Sequence, residues 1–521
     1  MKKERIDKLK IMLAILSGFL LTLSFPKTNL SWIAWVSLIP LFAALNNLSP
    51  KKSFYIGLIT GFAHYLTLVY WLAYTMNTYG NLPLYLSVAV LLLLTAYLAL
   101  YVAIFSMTLT RLCSSPLSLF IMLPLIWVSL EYIRSFLFTG FPWELVGYTQ
   151  HNTLPIIQIA DILGVYGISF CIALSNAAIF IACLFFIGKT WQGKKVGLGH
   201  TLGSTMIFAL IFGLIWFYGT WRLEHINKLA SGSSSVRVSI VQGNIDQDKK
   251  WDPEFQRSTI LKYIKLSLRA KKDKPNLVVW PETATPFYFL RNVELSRLVQ
   301  EGIRETGADF FIGSPAVKFG KETNEHYNSA FLVGPDGSLY GKYDKAHLVP
   351  FGEYVPFKKW LPFLGKMVES VGDFHSGKKG QTIQWGKHVV GSQICYEIIF
   401  PNLARAMTQN KAELLINITN DAWYGRSSAP YQHFSMAKFR AVENRRSLIR
   451  AANTGISGFI DPSGKVIGST ELFQDAVMTA NVPTLEIKTF YTRFGDLFAM
   501  ACLALTLVVV GLKITFSLKT S

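Results

Sequence analysis

Seven windows in the first 221 residues, near 11–25, 30–46, 54–75, 83–109, 117–138, 167–187 and 201–220, are apolar and long enough to span a bilayer. Such a span takes about 20 apolar residues. An eighth window lies at 497–516, and almost nothing between 222 and 496 qualifies. Composition agrees: of 521 residues 51% are hydrophobic and 16% charged, too apolar for an ordinary soluble protein. The expected division is transmembrane helices 1–7 over 1–221, a linker at 222–235, an extramembrane domain at 236–485, and a return segment with an eighth helix over 486–521.

The first window follows Lys2, Lys3, Arg5, Lys8 and Lys10 and has the outline of a signal peptide. It ends in Phe25-Pro26-Lys27, without small cleavage-site residues, and further windows follow, so it reads as a retained helix. Basic residues in short loops set orientation. With the N-terminus cytoplasmic, the inner segments hold those five together with Lys51, Lys52, Arg111, Lys189, Lys194, Lys195, Lys513 and Lys519. The short outer loops hold only Lys27, and Arg134, near the outer end of the fifth window, is the one basic residue that does not fit. Both termini are therefore expected in the cytoplasm, with 222–496 facing the other side, the periplasm or cell exterior. That block carries 36 basic and 27 acidic residues, a surplus suited to anionic lipid nearby. A location outside the cytoplasm excludes nucleic acid as a partner.

Four of the five cysteines, Cys113, Cys171, Cys183 and Cys502, lie in or beside the apolar windows, where Cys acts as a small apolar side chain. Cys395 stands alone in the outer domain, without a disulfide partner there. A lone thiol in an oxidising compartment is a liability unless it is buried or used. It ends the apolar run Val389-Val390-Gly391-Ser392-Gln393-Ile394, a strand-end position suited to a nucleophile.

The outer domain alternates strands and helices. Strands are expected at 236–242, 276–280, 310–313, 388–394, 414–417 and 455–460, and helices at 254–270, 293–306, 401–409 and about 430–447. Gly334-Pro335-Asp336-Gly337 and Asp461-Pro462-Ser463-Gly464 mark two hairpins, which suggests a mixed sheet layered with helices. Asn417-Ile418-Thr419 has the glycosylation pattern but sits at a buried strand end. His347 and His433 have no metal-ligand spacing around them, and neither a metal nor a cofactor is expected.

Three strand ends each deliver one reactive side chain. Trp280-Pro281-Glu282 turns at its proline, which ends the ladder and lets Glu282 enter a cleft. Lys345 follows the second hairpin strand, and Cys395 is the third. Singly these read as a solvated turn, a surface lysine and a packed thiol. Together, with Lys345 63 residues after Glu282 and Cys395 50 further on, they carry a chemistry. A thiol of pKa near 8.5 needs a base to ionise at neutral pH. Glu282 supplies one, Lys345 supplies fixed positive charge for a tetrahedral oxyanion, and the product on Cys395 is a thioester.

These segments resemble the nitrilase (carbon–nitrogen hydrolase) superfamily over about 236–480. With apolar windows on both sides, the chain is similar to one of its branches, the bacterial apolipoprotein N-acyltransferases. Val241-Gln242-Gly243-Asn244-Ile245, Trp280-Pro281-Glu282, Lys345 with Leu348-Val349-Pro350-Phe351-Gly352-Glu353-Tyr354, and Asn420-Asp421-Ala422-Trp423-Tyr424-Gly425 carry the resemblance. It implies an αββα sandwich with a catalytic Glu282–Lys345–Cys395 triad and supporting roles for Glu353, Tyr396 and Glu397. Glu353 and Glu397, read from the residues alone, either hold the Lys345 ammonium or make surface ion pairs. Trp251 matches a functionally important family position, and Trp423 lies within a matching motif. Tyr354, Phe357, Trp360 and Phe363 interleave with Lys358, Lys359 and Lys366, a composition suited to a lid on a membrane surface.

The resemblance further implies ping-pong transfer of a fatty acyl chain. The donor is a phospholipid such as phosphatidylethanolamine, and the acceptor is the N-terminal α-amino group of the diacylglyceryl-cysteine of an apolipoprotein, the last step of lipoprotein maturation. A membrane-tethered amidase or nitrilase is the alternative enzyme, disfavoured because one helix suffices for an anchor. A transporter or lipid-binding scaffold is a third reading. It has little support, since Glu131, Arg134, Glu144 and Asp161 lie away from the midplane of any window.

Overall fold

The computed structural model describes residues 6–320, 323–355 and 374–520, the side chains of the last five excepted. The chain forms two compact units, one running to Arg222 and resuming at Phe494, the other spanning Leu223–Arg493.

In the first unit every apolar window holds helix, with unequal lengths. Among the described residues, five helices are long and apolar enough to cross a membrane: Leu84–Leu112, Pro116–Arg134, Ala160–Phe186, Leu198–Gly232 and Leu497–Thr515. Pro50–Leu68 and Trp71–Thr78, bent by 51° at their break, make a sixth if taken as one span. The first window holds the 16-residue helix Lys8–Leu23. The second is split into a 3₁₀ turn, Ser31–Trp35, and a short helix, Ile39–Leu45. Hydropathy summed over a window does not register such breaks. Arg134, the misfit of the charge count, is 2% exposed. Its Nη1 donates to the Trp143 carbonyl at 3.2 Å and its guanidinium lies 5.3 Å from the Tyr65 ring centroid. A bonded, π-stacked guanidinium is satisfied inside a bundle, so it carries no orientation signal.

The stretch read as a linker, 222–235, is not one. The helix from Leu198 continues to Gly232, and a strand begins at Ser235. Its Ser and Gly residues are neutral to poor helix formers, and here they only end a helix already propagating from its apolar part.

The second unit is built on two six-stranded sheets. One has the order Ala476–Pro483, Ser235–Gln242, Leu277–Val279, Asp309–Phe319, Asn324–Val333, Leu339–Asp344. The other runs Val466–Ser469, Gly458–Ile460, Ser447–Ala452, Leu414–Thr419, His388–Ile394, Thr382–Trp385. In each, the three central strands are parallel and the flanking ones antiparallel. Parallel strands buried on both faces read as continuous apolar runs, as Leu277-Val278-Val279 and Leu414-Leu415-Ile416 do.

Helices cover the outer faces. Pro253–Ala270 starts on Asp252, whose side chain accepts from the Glu254 N–H at 3.0 Å, with Pro253 in the first turn. Ile260, Tyr263, Ile264 and Ser267 form its buried stripe. Val293–Thr306 is capped by Asn292 and ended by Gly307 at φ 75°. Their apolar faces share a core with Val278, Phe310, Ile312 and Phe331 of the first sheet. Each fully buried Ile or Leu stabilises this layer by roughly 1.5–3 kcal/mol. The inner faces meet through bonds that cross the sheets: Ser457 Oγ to Gln242 Oε1 at 2.6 Å and Ser447 Oγ to the Pro483 carbonyl at 2.6 Å. This is the αββα layering.

The helix expected at about 430–447 is Ala429–Asn444. Arg445 turns it off at φ 51°, and Ser447–Ala452 is a central strand. No glycine or proline marks that stop. The strand expected at 455–460 is confined to Gly458–Ile460, and Thr382–Trp385 and Ala476–Pro483 complete the sheet edges.

Candidate active site

Strand His388–Ile394 delivers Cys395 at the first residue of a 3₁₀ turn, Cys395–Ile399, with φ 52°. A non-glycine residue there costs about 1–3 kcal/mol and persists only where its surroundings fix it. Burial pushes the thiol well above its ordinary range. The negative charge of Glu282 adds to this, while Lys345 and the Thr419 hydroxyl pull the other way. At rest the group is a thiol, and it needs a base.

Glu282 follows Leu277–Val279 after Pro281. Its Oε1 accepts from Asn328 Nδ2 at 2.8 Å, and its Oε2 from the Asn420 N–H at 2.8 Å. Lys345 Nζ lies 3.8 Å from Oε1. Gly313, on the neighbouring strand, makes room for this segment. A Cβ there would meet the Pro281 carbonyl at 2.3 Å and Glu282 Cα at 2.7 Å.

Lys345 leaves strand Leu339–Asp344 and is 1% exposed. Its Nζ donates to Glu353 Oε1 at 2.8 Å. Burial on its own would depress this lysine, but Glu353, Glu282 and Cys395 outweigh it and hold the ammonium well above its ordinary range. It is a permanent cation. Glu353 Oε1 also accepts from Asn328 Nδ2 at 3.0 Å, and its Oε2 from the Val349 N–H at 2.8 Å.

Glu397 is fully buried and does not bond that ammonium. Its Oε1 takes the N–H groups of Ala346 and His347 at 2.8 and 2.9 Å, and its Oε2 takes that of Ile394 at 2.7 Å. Tyr343 OH donates to both oxygens at 2.9 and 3.0 Å. One carboxylate thus ties the loop carrying Lys345 to the strand end carrying Cys395. Burial raises it to about 7, against the hydrogen bonds and Lys345, which favour its charge.

Behind Cys395 lies a buried network of His433, Arg450 and Asp421, of which only Asp421 stood in a matching motif. His433 Nε2 sits 3.2 Å from the Cys395 carbonyl. Burial and Arg450 push this imidazole below its ordinary range, while Asp421 pulls it back up. Its Nδ1 lies 3.0 Å from Asp421 Oδ1 and 2.9 Å from Arg450 Nη2, which donates to Asp421 Oδ2 at 2.8 Å. Burial opposes the Asp421 charge, yet Arg450 and His433 hold that acid down at about 2. Asn328, Asn420 and Lys250, whose Nζ donates to the Glu282 carbonyl at 3.0 Å, were missed as well. Asn420 was marked only by the motif Asn420–Gly425, and nothing in the local sequence of Asn328 and Lys250 separates them from solvated polar residues.

Tyr396 is buried beside Cys395, its ring 5.2 Å from that of Phe400. Trp251 is 46% exposed, next to Lys250, and Trp423 is half-buried in the turn Asp421–Tyr424. Tyr354 is half-buried and bridges to Pro350. Trp360 and Phe363, with the rest of the expected lid from 356 to 367, lie outside the described residues.

A buried carboxylate, a buried ammonium and a protonated thiol thus stand at three strand ends of an αββα sandwich. The comparisons agree: residues 237–490 match the carbon–nitrogen hydrolase family, and residues 17–178 match the apolipoprotein N-acyltransferase N-terminal domain. An apolipoprotein N-acyltransferase of Geobacter metallireducens is 45% identical over 98% of this chain and 96% of its own length. One of Haemophilus influenzae is 33% identical over 95% and 94%. Among solved structures, an amidase from Nesterenkonia sp. is similar at 19% identity over 50% of this chain and 94% of that one, with a TM-score of 0.37. The chain belongs to the apolipoprotein N-acyltransferase family.

Proposed function

We propose that Cys395 carries a fatty acyl chain between two lipid substrates, with Glu282 as base and acid and Lys345 as the oxyanion partner. Glu282 takes the Cys395 proton as Sγ attacks the ester carbonyl of a phosphatidylethanolamine-like phospholipid. The tetrahedral oxyanion collapses, the C–O bond breaks, and the proton passes from Glu282 to the departing lysophospholipid hydroxyl. The N-terminal amine of a diacylglyceryl apolipoprotein then attacks the thioester and gives a proton to Glu282. The C–S bond breaks, an amide forms, and the proton returns to sulfur. Lys345, held by Glu353, opposes the oxyanion in both halves. A single donor in that role is worth about 3 kcal/mol.

The observation that carries this reading is the Glu282–Lys345–Cys395 cluster in a chain whose described residues include five membrane-length apolar helices. The eight apolar windows support eight spans, and the asymmetry of Lys and Arg in the short loops supports cytoplasmic termini and a periplasmic catalytic unit. Trp251, Tyr354 and Trp423 would line the route of the acyl chain, and Tyr396 would flank the thioester.

The test is incubation of the full chain with phosphatidylethanolamine labelled in its acyl chain. A hydroxylamine-sensitive label is expected on the wild type, absent from Cys395→Ala, and released by a diacylglyceryl-cysteinyl peptide as its N-acyl product. Label that persists on Cys395→Ala, or a wild type that only hydrolyses small amides, sinks the reading.

A further inference from the structure

Lys250 ends the short helix Gln247–Lys250, one residue ahead of Trp251. It is 1% exposed, and among the described residues its ammonium has one hydrogen-bond acceptor, the main-chain carbonyl of Glu282. An ammonium has three N–H donors, and burying its charge costs several kcal/mol. A fold that needed only to bond that carbonyl would be served by a neutral donor. The charge has a counterpart in the site: burial pulls the Lys250 proton affinity down, and Glu282 and Cys395 push it back up. The same helix is tied to the carboxylate a second time. Gln247 Oε1 accepts from Asn420 Nδ2 at 2.6 Å, and the Asn420 N–H donates to Glu282 Oε2.

Charge balance sharpens the point. Glu282 and Glu353 bring two negative charges and Lys345 one positive charge. Lys345 and Glu353 stand beside Glu282, and Asp421, neutralised by Arg450, acts on Cys395 from behind. With Lys250 the cations beside Glu282 number two, matching the carboxylates of Glu282 and Glu353, while Glu397, raised by burial to about 7, adds a further carboxyl at the Cys395 strand end.

We propose that Lys250 is a positioning residue of acyl transfer, a second cation that fixes Glu282 and favours the ionised form of Cys395. The proposal rests on Cys395 being the nucleophile, but not on its substrates. Its test reads the thiol directly, without lipid or acceptor, so its failure stays separate from failure of the acyltransferase reading.

The full chain in detergent is treated with iodoacetamide between pH 6 and 9.5, and alkylation of Cys395 is followed by peptide mass spectrometry. Lys250→Met removes donor and charge, Lys250→Gln keeps a donor, and Lys250→Arg keeps both. At pH 7, Met and Gln are expected to react about tenfold more slowly than wild type, with Arg close to wild type. Burial lowers Lys250 to about 8, so the gap should narrow above that pH, where the wild type loses the same charge. A Lys250→Gln that reacts like wild type, or a gap unchanged across the pH range, overturns the proposal. Melting temperatures are measured alongside, and if the Met variant does not fold, the Gln–Arg comparison decides.

Discussion

Asn328 Nδ2 lies 2.8 Å from Glu282 Oε1, and the same nitrogen is 3.0 Å from Glu353 Oε1. One neutral amide therefore separates two carboxylates that both lean on Lys345. Replacing it by Asp adds a third carboxylate to the cluster, which raises the pKa of its neighbours and leaves no donor between them. Thioester formation on Asn328→Asp should fall about a hundredfold, and on Asn328→Ala about tenfold, because Ala removes only the bridge. Single-turnover labelling from acyl-labelled phospholipid measures both. If Asp is no worse than Ala, the amide does not act by keeping the carboxylates apart.

Glu353 makes the shorter of the two Lys345 ion pairs, 2.8 Å against 3.8 Å to Glu282. With Glu353→Gln, the ammonium is left to Glu282, and the base becomes a tighter ion pair and a weaker proton acceptor. Acylation should slow by about 10–100-fold while KM for phospholipid stays within a factor of about two. A change confined to KM would place Glu353 in substrate binding instead.

The strand before Lys345 was legible from its hairpin turn, and the other two strand ends because their strands are short apolar runs with an abrupt stop, proline marking the one before Glu282. The sheet interior was legible for the same reason. What joins the three side chains was not. Glu397 bonds four groups from two distant segments, and its sequence neighbours give no hint that Ala346 and His347 lie across from it. Lys250 sits in a run of charged residues that reads as solvated surface, yet it is buried. The helix expected to reach 447 failed at Arg445, which takes a left-handed conformation usually left to glycine. The eight windows were visible as composition, whereas the break between Trp35 and Ile39 depends on packing.

Gly313 offers a test of how tightly Glu282 is placed. An added Cβ would lie 2.3 Å from the Pro281 carbonyl, 2.6 Å from the Thr283 nitrogen and 2.7 Å from Glu282 Cα. All three are main-chain atoms, so the segment has to move. A displacement near 1 Å costs about a hundredfold in rate, whereas the overpacking itself destabilises by about 1–3 kcal/mol. Gly313→Ala should therefore lose about a hundredfold in acylation while still unfolding cooperatively. Near wild-type turnover would show that Glu282 tolerates the shift.

Glu397 gives a prediction with a pH signature. Burial raises its pKa from 4.5 to about 7, so the fold favours its protonated form. The stability linked to that preference is fully present below about pH 4.5 and is lost as pH rises through about 7. Glu397→Gln is close in shape to the protonated acid and does not titrate. It loses one acceptor toward the Ile394 N–H at every pH, a constant offset. The wild type's advantage over Glu397→Gln should therefore shrink between pH 5 and pH 8, by about 1–3 kcal/mol. Denaturant melts of both proteins at the two pH values measure it. An advantage that grows with pH would mean that the five hydrogen bonds to the carboxylate favour its charged form more than burial opposes it.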